Sequence, residues 1–206
     1  MTDNLSFRGY SIVACGTLHQ ELNHLRNDGF LDADKLLFTA SGLHENLNEL
    51  KKQLIKQIKT AKKHSDNVIV VYGDTCYLPK EIDELPQEEG GEISRIEANH
   101  CVDILAGAGE RDKIAGGKKI YWLPPGWFEC RKIIFKNWEV GMANETFPQH
   151  DKAIMLDSLG VFEEYSMNSP EELLEFSDWK GIPIEPYKIS LDRLENLLLK
   201  CVKENE

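Results

Sequence analysis

The run Val68-Ile69-Val70-Val71-Tyr72 is apolar without interruption and stops abruptly at Gly73-Asp74-Thr75-Cys76. A β-branched stretch with no polar alternation has no face to offer to water. It predicts a strand covered on both sides, as in a parallel sheet. The same strand, turn and helix order recurs along the chain. Tyr10 to Ala14 is β-rich and ends in Cys15-Gly16, after which Leu18, Leu22 and Leu25 follow at helical spacing up to a break at Asp28-Gly29. Lys35 to Thr39 is a second short apolar run. Beyond Ser41-Gly42, the stretch from Glu45 to His64 sets Leu47, Leu50, Leu54, Ile58 and Ala61 on one stripe with lysines opposite. Further strands are predicted over Glu92 to Glu97, Lys118 to Leu123 and Lys152 to Asp157, each followed by a loop or helix. This alternation defines an α/β protein, Rossmann-like, with a mostly parallel sheet and helices on both faces.

Three later segments complete the pattern. Trp127, Cys130, Ile134 and Trp138 fall on one helical face, which makes Cys130 a core residue. Ser169-Pro170-Glu171-Glu172 has an N-cap serine, a proline at the first helical position and a glutamate placed for a capping box, with a helix through about Asp178. The final helix, from Ser190, carries Leu191, Leu194, Leu198 and Cys201 on its stripe. The 206 residues show no internal repeat, low-complexity tract or composition shift, so residues 1–206 are expected to form a single domain. Lys80 to Gly91 reads as a solvated acidic excursion.

Charge narrows the partners. With 24 Lys and Arg against 35 Asp and Glu, the net charge is -11, which argues against a basic surface for nucleic acid or anionic lipid. No basic segment leads a long apolar stretch at the N-terminus, and none later is long enough to span a membrane, so a cytoplasmic location is expected. In that reducing compartment the five cysteines are thiols or metal ligands, not a disulfide framework.

Their positions carry the main signal. Cys15, Cys76 and Cys101 each sit at or just beyond the carboxyl end of a predicted strand, the edge where ligands of parallel α/β sheets bind. His44, in Ser41-Gly42-Leu43-His44, occupies the matching loop after the second strand and is a candidate fourth ligand or a helix cap. Three thiolates suit an iron–sulfur cluster whose remaining iron is left for substrate or a non-cysteine ligand. Zinc in a Cys₃His set of Cys15, His44, Cys76 and Cys101 is the nearest rival. A cofactor-free enzyme with Cys15 as nucleophile and His44 as base is another, and so is an accessory binding module whose cysteines only pack. No CxxC pair supports any of these, so the inference rests on topology. His100 is a weaker ligand candidate; His19, His24, His64 and His150 read as solvated. Asp74, Arg95, Asp103 and Asp157 read as caps or ion pairs. Trp122 and Trp127 flank the rigid turn Pro124-Pro125-Gly126, where they wall a pocket or fill the core. The glycines between Gly107 and Gly117 precede a strand and do not make a phosphate-binding fingerprint.

Cys15-Gly16 with Glu21-Leu22, Leu43-His44, Tyr72-Gly73-x-x-Cys76, Cys101-x-Asp103-x-Leu105-x-Gly107 and Pro125-Gly126-Trp127 resemble an uncharacterised domain-of-unknown-function family, family 1638, of methanogens and other anaerobes. The resemblance spans about residues 10 to 160 and departs at Tyr121 to Pro125, where a Pro-Gly-Thr-Tyr-like segment is usual. It implies one-carbon metabolism linked to corrinoid-dependent methyl transfer. The expected partners are a small-molecule substrate or a redox or methyl-transfer protein, and a homo-oligomer is compatible with the sequence.

Overall fold

The structure, a computed structural model, describes residues 6–43, 46–76, 92–136 and 149–203. His44, Trp138 and the acidic excursion from Lys80 lie outside them. Strand β1 (Tyr10–Ala14) leads through a 3₁₀ turn (Gly16–Leu18) into helix α1 (His19–Asn27), and β2 (Lys35–Phe38) leads to α2 (Leu47–Ala61). Then come β3 (Asn67–Val71) with a 3₁₀ turn (Asp74–Cys76), β4 (Ile93–Arg95), and the short helices α3 (Cys101–Leu105) and α4 (Ala108–Ala115). The remainder is β5 (Ile120–Leu123), α5 (Pro125–Ile134), β6 (Lys152–Asp157), α6 (Val161–Asn168), α7 (Pro170–Lys180), β7 (Ile184–Lys188) and α8 (Asp192–Lys203).

The strands are all parallel, as expected for an α/β Rossmann-like fold, but they divide between two sheets. The first has the order β2-β1-β3-β4 and the second β5-β6-β7. The uninterrupted run at β3 is explained by cover on both faces. Ile69 and Val71 face one apolar cluster and Val68 and Val70 another, where Leu50, Leu54 and Ile58 of α2 close over them. Asn46 caps α2 by accepting the Glu49 N–H at 3.1 Å. The first cluster is shared: Ile12 and Ile69 of the first sheet, Ile120 and Ile154 of the second, and Leu194 and Leu198 of α8 belong to it. The outer face of the second sheet is covered by Phe128 of α5, Phe135 just after it and Phe176 of α7.

Two helix expectations change. The buried face of α5 includes Trp127, Phe128 and Arg131 and is continued by Phe135 just past its end, leaving Cys130 half-buried instead of in the core. Arg131 occupies that face because its guanidinium lies 3.8 Å over the Phe128 ring, donates to the Phe128 carbonyl at 2.6 Å and pairs with Glu172. That pairing also removes the expected capping box of α7. Glu172 turns its carboxylate to Arg131 and Lys132, and the Ser169 side chain makes no cap hydrogen bond. Cys201 is buried in the shared core as expected. Strand β7 and helix α4 were not anticipated.

Candidate functional site

In the first sheet the chain passes from β2, on one side of β1, to β3 on the other. The β1/β3 boundary is therefore the topological switch point, where the loops leaving two adjacent strands diverge and open a crevice. Cys15 leaves β1 and Cys76 leaves β3 at this boundary, and Cys101 begins α3 in the loop from neighbouring β4. All three line one cavity of about 360 Å³.

Local hydrogen bonds fix each loop. The Cys15 N–H donates to the Val71 carbonyl at 3.3 Å, tying the end of β1 to the end of β3. The Thr17 hydroxyl donates to Cys15 Sγ at 3.1 Å and also reaches the Cys101 thiol. The loops bearing Cys76 and Cys101 run against each other: Asp74 N–H donates to the Ala98 carbonyl and Thr75 N–H to the Asn99 carbonyl, both at 2.8 Å. Gly73 permits this approach, since a Cβ there would stand 2.1 Å from His100 Cα. The Cys101 N–H in turn points at the Cys76 sulfur.

The thiols sense one another. Burial pushes the Cys101 thiol up to about 12, with thiolate repulsion from Cys15 and Cys76 adding to it. Burial, then Cys15, raises Cys76 as well. Tyr72, buried beside them, is hydrogen-bonded to Thr39, and its hydroxyl is held protonated by burial and by Cys15. A cation among the sulfurs would reverse this repulsion, because metal binds the deprotonated thiol. Among the described residues, no three His, Cys, Asp or Glu side chains stand in ready metal-holding geometry. The cysteines present in the described residues are free thiols.

The second sheet supplies the rest of the cavity. Tyr121, Trp122 and Trp127 line it, so the tryptophans wall a pocket, with Trp127 donating to the Tyr121 hydroxyl at 3.1 Å. Gly126 seats α5 against the first sheet, since a Cβ would meet the Thr17 carbonyl at 2.4 Å. His150, expected at the surface, is half-buried and lines the pocket edge-on to Tyr121, 5.4 Å between ring centres. Strand β6, which follows it directly, brings it there. His100 lines the pocket too; burial lowers its imidazole pKa, Asp103 opposes the shift and Arg111 reinforces it. Asp103 is buried and pairs with Arg111 at 2.6 Å. Arg111 was missed because no local motif marks it: it sits on the exposed helix α4, and only the folded chain turns its side chain to the thiols. Asp74 pairs with Arg95 at 3.5 Å, and Asp157 accepts N–H groups at the start of α6, as a cap would.

Fold and site together define a parallel α/β protein with a thiol-lined pocket at its topological switch point. A sequence comparison places it more closely: residues 38–198 match the family described as protein of unknown function, DUF1638, and the chain belongs to that family. The match includes Cys76 and Cys101 and begins after Cys15. No curated protein and no solved structure matches the chain. Among the described residues no helix is long and apolar enough to cross a membrane.

Proposed function

We propose that the pocket at the β1/β3 switch point holds an iron–sulfur cluster on Cys15, Cys76 and Cys101 and serves redox or methyl-transfer chemistry on a small molecule in the cytoplasm. The observation that supports it is the convergence of three thiols, from loops up to 86 positions apart (Cys15 to Cys101), on one cavity with an aromatic wall. Burial and the neighbouring thiols hold Cys76 and Cys101 protonated, so neither is an activated nucleophile as it stands, and a bound cation would supply the charge that their deprotonation needs.

The donor chemistry, three thiols on one cavity, suits a thiolate-bound cofactor. Such a cluster supplies electron transfer or an iron open to substrate. The chain's own contribution is to orient and to exclude water. Thr17 and the Cys101 N–H donate hydrogen bonds to the sulfurs, which tunes a potential, and Tyr121, Trp122 and Trp127 shield the pocket. His44 is the remaining candidate ligand. Zinc is the second reading, favoured by the same thiols and by Leu43, the residue before His44 in sequence, which lines their pocket.

Protein purified without oxygen decides between them. Brown protein containing iron and acid-labile sulfide, lost in Cys101→Ser with the fold retained, is the expected result. Colourless protein with stoichiometric zinc selects the zinc site, and protein with neither rejects both. Retention of metal in His44→Ala would remove His44 from the ligand set.

A further inference from the structure

Among the described residues that line the pocket, Arg111 is the one fixed cation beside the thiols. Arg111 lines the same cavity as Cys15, Cys76 and Cys101, and its side chain is 20% exposed. Its Nε lies 2.6 Å from Asp103 Oδ1, on a carboxylate that is 3% exposed. The angle falls short of an aligned hydrogen bond, so charge alone holds the pair. The guanidinium carbon also sits 5.9 Å over the Trp122 ring. Ion pair and ring therefore restrain the guanidinium on its Nε side and on one face. Among the described residues its two terminal amino groups have no further hydrogen-bond or ion-pair partner.

A guanidinium restrained in this way presents two parallel N–H donors in a fixed fork, the geometry that matches a carboxylate bidentately. On the side of the second sheet, Tyr121, Trp122 and Trp127 give the pocket an aromatic wall suited to a flat or apolar body, with His100 and His150 also among its lining residues. Asp103 already neutralises the one guanidinium, which leaves little field for a dianion in a chain whose net charge is -11. We propose that Arg111, positioned by Asp103 and Trp122, makes this pocket a receptor for a small carboxylic acid whose apolar part lies against the tryptophans. This deepens the thiolate-site reading and rests on it for the chemistry done there, though not for the binding itself.

Benzoate is the probe, titrated into the full chain while tryptophan emission is followed. Methyl benzoate offers the same ring without charge, and phenyl phosphate offers a second anion. Saturable benzoate binding is expected, with methyl benzoate at least tenfold weaker. Arg111→Gln should weaken benzoate tenfold or more. Because that change strands Asp103, Arg111→Lys is the companion: it keeps the charge that holds the fold and still loses most of the affinity, since an ammonium offers no fork. Benzoate and methyl benzoate binding alike, phenyl phosphate binding at least tenfold tighter than benzoate, or no saturable benzoate binding would each overturn the proposal. Metal content of the same samples separates the two readings. Charge-selective binding in metal-free protein keeps the carboxylate site and removes the cofactor, whereas metal-loaded protein blind to the charge does the reverse.

Discussion

At the residue scale, Glu21 is the side chain most at odds with its surroundings. It is fully buried on α1, and neither carboxyl oxygen has a hydrogen-bond partner among the described residues. Burial, with Asp157 adding, raises its pKa from an ordinary 4.5 to about 7. Below pH 4.5 the carboxyl is protonated folded or unfolded, and the folded state carries no penalty. As pH climbs from 4.5 to about 7 only the unfolded chain ionises, so stability falls; above about 7 the loss is complete. The shift corresponds to about 3 kcal/mol. Glu21→Gln removes the titration, so its melting temperature relative to the parent should climb by several degrees between pH 5 and pH 8. A gap that stays constant over that range would show that Glu21 does not titrate. The meeting of Cys15, Cys76 and Cys101 at one pocket was legible at this scale because strand ends are legible. His150 and Arg111 were not, since a pocket lining assembled from a loop and an exposed helix leaves no periodic trace in the chain.

At the element scale, the apolar runs at β1, β3 and β6 were readable because both faces of each are buried, which leaves Ser11, Asn67, Lys152 and Asp157 as the only polar positions in the three strands. Strand β7 has the opposite character. It is an edge strand carrying Pro186, with Glu185, Pro186, Tyr187 and Lys188 exposed, and nothing in Ile184–Lys188 alternates or clusters. Helix α4 likewise buries none of its residues, so it has no stripe to read. The division into two sheets is a pairing choice, invisible to strand-by-strand reading. The elements around the site depend on close backbone contacts. Gly73→Ala would force the loop carrying Cys76 off the loop carrying Cys101, because backbone atoms, not a flexible side chain, occupy the space. Destabilisation of about 2 kcal/mol is expected, together with slower or lost reaction of Cys76 and Cys101 toward one cofactor. A variant that melts normally and retains full cofactor content would show that the two loops need not touch.

At the scale of the whole molecule, the two sheets share one apolar cluster, and α8 closes it from the chain's far end. Leu194 and Leu198 are fully buried there. Leu194→Ala should cost about 2–5 kcal/mol and weaken both sheets together. The check is denaturant unfolding followed by two probes, one cysteine label at Cys76 and the intrinsic tryptophans, of which Trp122, Trp127 and Trp179 lie on the second sheet or on the helices packed against it. Coincident midpoints that shift together are expected; separate transitions would show that the sheets unfold independently.

The pocket is also ordered in time. Its three thiols, Cys15, Cys76 and Cys101, all precede its aromatic wall of Tyr121, Trp122 and Trp127 along the chain. Synthesis proceeds from the N-terminus at about 5–20 residues per second, so every sulfur leaves the ribosome before any of the side chains that shield it. On the proposed reading, a nascent chain would thus offer its three sulfurs to a cofactor donor for a few seconds before the aromatic wall is made. Insertion during synthesis would meet open sulfurs, while loading of finished apoprotein would have to wait for the wall to part.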